Sequence, residues 1–88
     1  LAISGHDHMY ERQAPMTADG LPDPRGVRPF IVGTGGAHLY RTGGAPRGFT
    51  EAKVLEWGVL KLTLSASSYR WEFVTPTGVR DSGTEGCR

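Results

Sequence analysis

The strictest constraint on how this chain can fold lies between Leu60 and Phe73. There Leu60, Leu62 and Leu64 alternate with Lys61 and Thr63, and Tyr69, Trp71 and Phe73 alternate with Arg70 and Glu72. A period of two places every second side chain on one face of an extended strand. Both runs therefore predict strands, joined by a turn over residues 65–68 into an antiparallel hairpin whose leucine row and aromatic row share a buried face. The Pro76-Thr77-Gly78 turn leads into a last short strand around Val79, which makes the hairpin a three-stranded meander. Trp57 is expected to join Tyr69, Trp71 and Phe73 in the core rather than to form an exposed platform.

The remainder is less regular. Residues 1–4 form a short apolar run that stops at Gly5, which reads as a buried strand delivering the next residues into a loop at its end. Residues 13–29 contain four of the six prolines and break every periodic pattern, so a long irregular excursion is expected. A second apolar strand, Phe30 to Val32, runs into Gly33-Thr34-Gly35-Gly36, and another Gly-rich connection covers 41–50. Residues 50–56 could hold a helix of a turn or two; nothing longer is evident.

Composition excludes several functions. Ten Lys and Arg against nine Asp and Glu leave no charge excess to draw the chain onto nucleic acid or an anionic membrane. The longest apolar run is far below the roughly 20 residues that span a bilayer. At 88 residues and 38% hydrophobic content, the chain reads as a piece of a larger unit with marginal stability of its own. Cys87 is the single cysteine and has no internal partner. It is either an exposed thiol or bonded to a cysteine outside this chain, the latter requiring an oxidising compartment.

Chemistry concentrates in His6-Asp7-His8, directly after Gly5. Imidazoles at this spacing can converge on metals from the end of a strand. Two incidental surface histidines would be the blander explanation. The context extends the pattern: Gly5-His6-Asp7-His8-Met9-Tyr10-Glu11-Arg12, with Phe30 to Ala37, Trp57 to Leu60 and Asp81 to Gly83, resembles calcineurin-like metallophosphoesterases of the purple acid phosphatase type. The match covers nearly the whole chain and is most specific in its first block.

The resemblance implies an α/β fold, this chain being the C-terminal portion of a four-layer α/β/β/α sandwich and itself mainly antiparallel β with long loops. Within 1–88 it divides the chain into a metal-ligand strand and loop (1–12), an irregular loop (13–29), a strand with Gly-rich turns (30–56) and a β-meander (57–88). It further implies a phosphoric ester hydrolase with two metal ions, Fe, Zn or Mn, to which His6 and His8 contribute one ligand each. In-line attack on phosphorus would be assisted by both metals neutralising charge on the phosphoryl oxygens. Asp7 occupies the variable position and is not expected to be a ligand.

The departures limit what the chain can do alone. The upstream aspartates, the tyrosine ligand and the Asn-His pair of the family have no counterpart, and the sequence contains no asparagine. No complete catalytic set is present, and the substrate-binding residues cannot be assigned. The isolated chain is expected to bind metal weakly or not at all, to be silent catalytically, and to need the missing N-terminal part of the domain. Exposed edges could also lead it to self-associate. Family habit, with Cys87, suggests a secreted or extracytoplasmic parent. Glu11 and Arg12 are expected to be structural, as a local ion pair or loop-fixing pair, and His38 to be an ordinary, partly exposed histidine. The rival reading, from another class, is a small β-rich structural or interaction module with incidental histidines.

Overall fold

A computed structural model describes residues 1–41 and 48–87. The chain forms seven strands: β1 (Ala2–Ser4), β2 (Tyr10–Gln13), β3 (Pro29–Val32), β4 (Thr50–Val54), β5 (Val59–Leu64), β6 (Ser68–Thr75) and β7 (Gly78–Gly86). They make two sheets, a four-stranded one in the order β1-β3-β2-β4 and a three-stranded one in the order β5-β6-β7. No helix occurs among the described residues, and all strand pairs are antiparallel except β1 with β3. The mainly antiparallel β architecture with long loops is thus the one observed.

The meander follows its sequence pattern closely. Leu60 faces Phe73, Leu62 faces Trp71 and Leu64 faces Tyr69, so the two rows do lie on one face. The aromatic row is buried, whereas Leu60 and Leu62 are half-buried and Leu64 is 72% exposed. As an edge strand, β5 pairs with β6 alone. The strand expected around Val79 is longer than predicted and runs on to Gly86.

The two sheets meet over an aromatic core of Tyr10, Phe30, Tyr69, Trp71 and Phe73. Tyr10 stacks on Phe73 with ring centroids 4.1 Å apart, and Phe30 meets Trp71 edge-on at 5.6 Å. Around this core lies a charged seam. Asp81 on β7 accepts hydrogen bonds from Tyr10 Oη (2.6 Å), Arg12 Nε (2.8 Å) and Arg12 Nη2 (3.2 Å). Arg28 donates through Nε to Glu85 (2.9 Å), and Glu51 accepts from both Arg12 and Arg28. Both guanidinium carbons lie within 5.3 Å of the Trp71 ring centroid. The seam sets ionisation as well. Burial and the Asp81 carboxylate raise the Tyr10 phenol well above its ordinary range, and burial with Glu85 pushes Tyr69 up to about 12.

Several expectations are corrected. The first strand is not buried: all of β1 is exposed, Ile3 by 51%, because it lies at a sheet edge and pairs with β3 alone. Residues 50–54 form strand β4, not a helix, since pairing with β2 overrides the helix propensity of Glu51, Ala52 and Lys53. Trp57 is 52% exposed and outside the core. Glu11 and Arg12 do not pair with each other. Glu11, wholly buried, accepts from Gln13 Nε2 (2.9 Å) and Thr50 Oγ1 (2.8 Å), while Arg12 reaches across to the other sheet. Both are structural: Arg12 acts at long range, while Glu11 combines a local partner, Gln13, with Thr50 on β4.

The excursion between β2 and β3 is folded upon Met16, whose backbone pairs with Val27, and a turn at Asp23 to Gly26 is closed by Gly26 N to Asp23 O (2.8 Å). The Gly-rich connection read at 41–50 falls largely outside the described residues.

Candidate functional site

Because β1 and β3 run parallel, their carboxyl ends emerge on the same edge of the four-stranded sheet. Such an edge gathers the loops that follow the strands, which is where ligands bind in open sheets with parallel neighbours. The loop after β1 carries Gly5, His6, Asp7 and His8, and the turn after β3 carries Gly33 to Gly36. Two motifs separated by some 25 residues of sequence are therefore adjacent in space.

Their approach is close. Asp7 O lies only 1.9 Å from where a Cβ on Gly33 would stand, so this position of the GTGG turn must lack a side chain. Gly33 N donates to Met9 O (3.1 Å), tying the turn to the end of the His loop. Thr34, also buried, exchanges two bonds with Gly58: its Oγ1 donates to Gly58 O (2.9 Å), and Gly58 N donates to Thr34 O (3.1 Å). The site edge is thereby fastened to the start of the second sheet.

Within the His loop, Asp7 N donates to Gly5 O (3.0 Å) and Met9 N to Asp7 O (2.8 Å), giving two successive three-residue turns. His6, centred in the first, has φ of 75° and is the one non-glycine residue with positive φ among those described. A γ-turn of this hand is the rarer and strained form, and it orients a side chain that a relaxed backbone would not present in the same way. His6 is exposed and His8 half-buried; neither sits in the apolar core.

His8 is the more tightly held. Its Nδ1 lies 2.6 Å from the carbonyl oxygen of His38. A carbonyl can only accept, so Nδ1 carries the proton in neutral His8 and Nε2 carries the lone pair. The ring also stacks on Tyr40, with centroids 5.4 Å apart and planes at 28°. Tyr40 N donates to His8 O (3.1 Å), and Tyr40 Oη donates to Asp7 Oδ1 (3.4 Å). Trp57 Nε1 donates to Ala37 O (2.8 Å), the carbonyl immediately before that of His38.

Sequence reasoning assigns Tyr40 and the His38 carbonyl no part in the site, and it places Trp57 in the core instead. Their contacts span 20 to 33 positions, and a backbone carbonyl leaves no trace in residue type. His38 has an exposed side chain, as expected, while its main chain serves His8.

The donor set suits part of a metal centre. An imidazole whose Nδ1–H is spent on a carbonyl has the arrangement usual for metal-binding histidines. Among the described residues, however, no group of three or more His, Cys, Asp and Glu side chains could hold a metal ion. Asp81 and Glu51 are committed to arginines and Glu11 is buried in the first sheet. These residues can supply ligands to a centre but cannot complete one.

No family model and no curated protein matches the chain. Among solved structures it is similar to purple acid phosphatase PPD1 isolated from yellow lupin (Lupinus luteus) seeds, with a TM-score of 0.82 and 26% sequence identity over 97% of this chain. The chain spans only 17% of the length of that protein. The likeness to the purple acid phosphatase type, first carried by the GHDHMYER and GTGG strings, thus holds for the fold of almost every residue.

Proposed function

We propose that this chain is part of a dinuclear-metal phosphoric ester hydrolase of the acid phosphatase kind, to which it contributes His6 and His8 as metal ligands. The supporting observation is the His8 ring: Nδ1 is engaged by the His38 carbonyl, so Nε2 is left as a lone-pair donor on a loop at the carboxyl edge of parallel strands. The strained backbone of His6, two residues away, supports the same reading. Incidental histidines of a β-rich module would need neither a spent Nδ1 nor a strained γ-turn.

The metal ions, when bound, would supply Lewis-acid stabilisation of charge on the phosphoryl oxygens. The chain's own residues do something narrower. The Gly5 to Met9 turns set the direction of both imidazoles, and Gly33 allows the loop to lie directly against the end of β3. Asp7 ties to Tyr40, which is consistent with a loop-fixing role. The remaining ligands and the acid belong to the part of the domain not represented in this chain.

In the whole phosphatase, His6→Ala and His8→Ala are each expected to lower turnover of an aryl phosphate by about a hundredfold or more, since even residues that support ligands are worth 10–100-fold. The 88-residue chain alone is expected to bind zinc weakly and to hydrolyse no aryl phosphate. Metal-dependent turnover by the purified chain, abolished by His6→Ala, would show that the site is more complete than proposed. Full activity of both alanine variants in the whole protein would remove the ligand assignment.

The exposed β1 edge, with Leu1 44% and Ile3 51% exposed, offers unpaired backbone and apolar side chains. Self-association of the isolated chain through this edge is expected to appear as a concentration-dependent mass in light scattering and to vanish on Ile3→Lys. A strictly monomeric chain over a hundredfold dilution range would count against it.

A further inference from the structure

We infer that residues 37–40 form a positioning strap for His8, with Tyr40 as the positioning residue and Trp57 as the anchor of the strap. The inference rests on the metal-ligand reading of His8 and adds to it the means by which one ring nitrogen is selected.

The strap is held at both ends and touches His8 in between. Trp57 Nε1 holds the Ala37 carbonyl at 2.8 Å, and the next carbonyl, that of His38, takes the His8 Nδ1 proton at 2.6 Å. Consecutive Cα atoms are about 3.8 Å apart, so fixing one carbonyl strongly limits the other. Two residues further on, Tyr40 closes on the same loop three times: ring against the His8 ring, N–H to His8 O, and Oη to Asp7 Oδ1. Gly36, with φ of 146°, sits where the chain turns from the end of β3 into the strap.

Packing alone does not account for Tyr40. It is 40% exposed and lies outside the aromatic core, so it contributes little to burial. Trp57, 52% exposed, is similar: its indole N–H satisfies a carbonyl, while much of its ring remains in solvent. All three Tyr40 contacts given above go to Asp7 or His8. A side chain arranged in this way restricts the χ angles of its neighbour and fixes the tautomer, which is the usual work of groups behind a metal ligand.

The test is long-range proton–nitrogen NMR of the imidazoles in the 88-residue chain, at mildly alkaline pH, first without metal and then with Zn²⁺. His8 is expected in the Nδ1–H tautomer before metal is added. Tyr40→Leu is expected to yield a tautomer mixture and about tenfold weaker zinc binding at His8. Tyr40→Phe keeps the stacked ring and should stay within about threefold of the unmodified chain. Trp57→Phe, which removes the anchoring N–H and shrinks the indole to a phenyl ring, should also shift the tautomer balance. Thermal unfolding of each variant is followed in parallel, and midpoints close to that of the unmodified chain are expected, because both residues are substantially exposed.

An Nε2–H tautomer in the unmodified chain overturns the strap, as does Tyr40→Leu with unchanged tautomer and zinc affinity. If the tautomer depends on Tyr40 as expected but His6→Ala and His8→Ala leave the whole phosphatase fully active, the strap stands and the metal-ligand reading falls. The two failures are therefore distinguishable.

Discussion

Asp81→Ala is expected to cost about 3–5 kcal/mol of stability, a large fraction of the total for a chain of this size. The side chain is 11% exposed and ties together both sheets, accepting from Tyr10 and Arg12 of the first and from Trp71 Nε1 (3.3 Å) of the second. Removing the carboxylate leaves a guanidinium, a phenol and an indole N–H without that acceptor in a partly dry seam. Losing one side of a buried pair is the costly case; replacing both sides by apolar groups need not be. Chemical denaturation would measure the loss, and a value under about 1 kcal/mol would show that the seam is dispensable.

Asp81→Asn separates charge from shape and carries a pH signature. Burial works against the Asp81 carboxylate, but hydrogen bonds from Arg12 and Tyr10 outweigh it and hold its pKa below the ordinary range. A carboxyl depressed in the folded state contributes stability that is fully present above the unfolded value, about 3.9, and is lost as pH falls through the lower folded value. The stability gap between the unmodified chain and Asp81→Asn should be flat above about pH 5 and shrink below about pH 4. A gap that does not change with pH would mean that folding leaves the Asp81 carboxyl unshifted from its unfolded value.

Gly33→Ala is expected to have the largest effect on the site itself. A Cβ there would stand 1.9 Å from Asp7 O, 2.7 Å from Asp7 C and 3.3 Å from His8 N, all backbone atoms. To reach even the 3.0 Å that real Cβ atoms keep, the two segments must part by about 1.1 Å. No flexible side chain can absorb that movement. Overpacking of this kind costs about 1–3 kcal/mol, and it also stretches the Gly33 N to Met9 O bond. Loss of the Nδ1–H tautomer of His8, together with a lower denaturation midpoint, is the expected observation. Gly35→Ala is the control, because nothing lies within 4 Å of its would-be Cβ; it should stay within about 0.5 kcal/mol of the unmodified chain. Equal behaviour of the two variants would mean that the turn and the His loop are not in contact.

What could be read from sequence divides along physical lines. The meander was legible because its period is strict and its partners are neighbours in sequence, so the hairpin over 60–73 and the shared face of its two rows could be read without any three-dimensional information, while the register comes from the structure. Strand β1 was legible as a strand, but its exposure was not, because burial depends on what covers an edge and not on how apolar the residues are. Strand β4 was misread because Glu51, Ala52 and Lys53 favour helix locally, while the ladder to Tyr10 to Gln13 decides otherwise. The GHDH loop was legible by its string. The seam was not: Arg12 and Asp81 are 69 positions apart and Arg28 and Glu85 are 57 apart, and single charged residues in strands carry no sign of their partners. Tyr10 was read as part of a motif, and the structure adds that it is also a wholly buried member of the core, two residues beyond His8.

The two sheets also differ in how their partners are spaced along the chain, which bears on their order of assembly in time. Strands β5, β6 and β7 join only to sequence neighbours, whereas the first sheet has the order β1-β3-β2-β4 and requires Ala2 to find Pro29 across an excursion rich in proline. Hairpins close in about 1–10 μs, while non-local and parallel pairings must first bear a larger loop-closure entropy and lag behind. The meander, with its aromatic row, is therefore the earlier template, and the first sheet condenses upon it later. The histidine loop, which depends on both β1 and β3, takes its shape among the last events, when the slower sheet has settled.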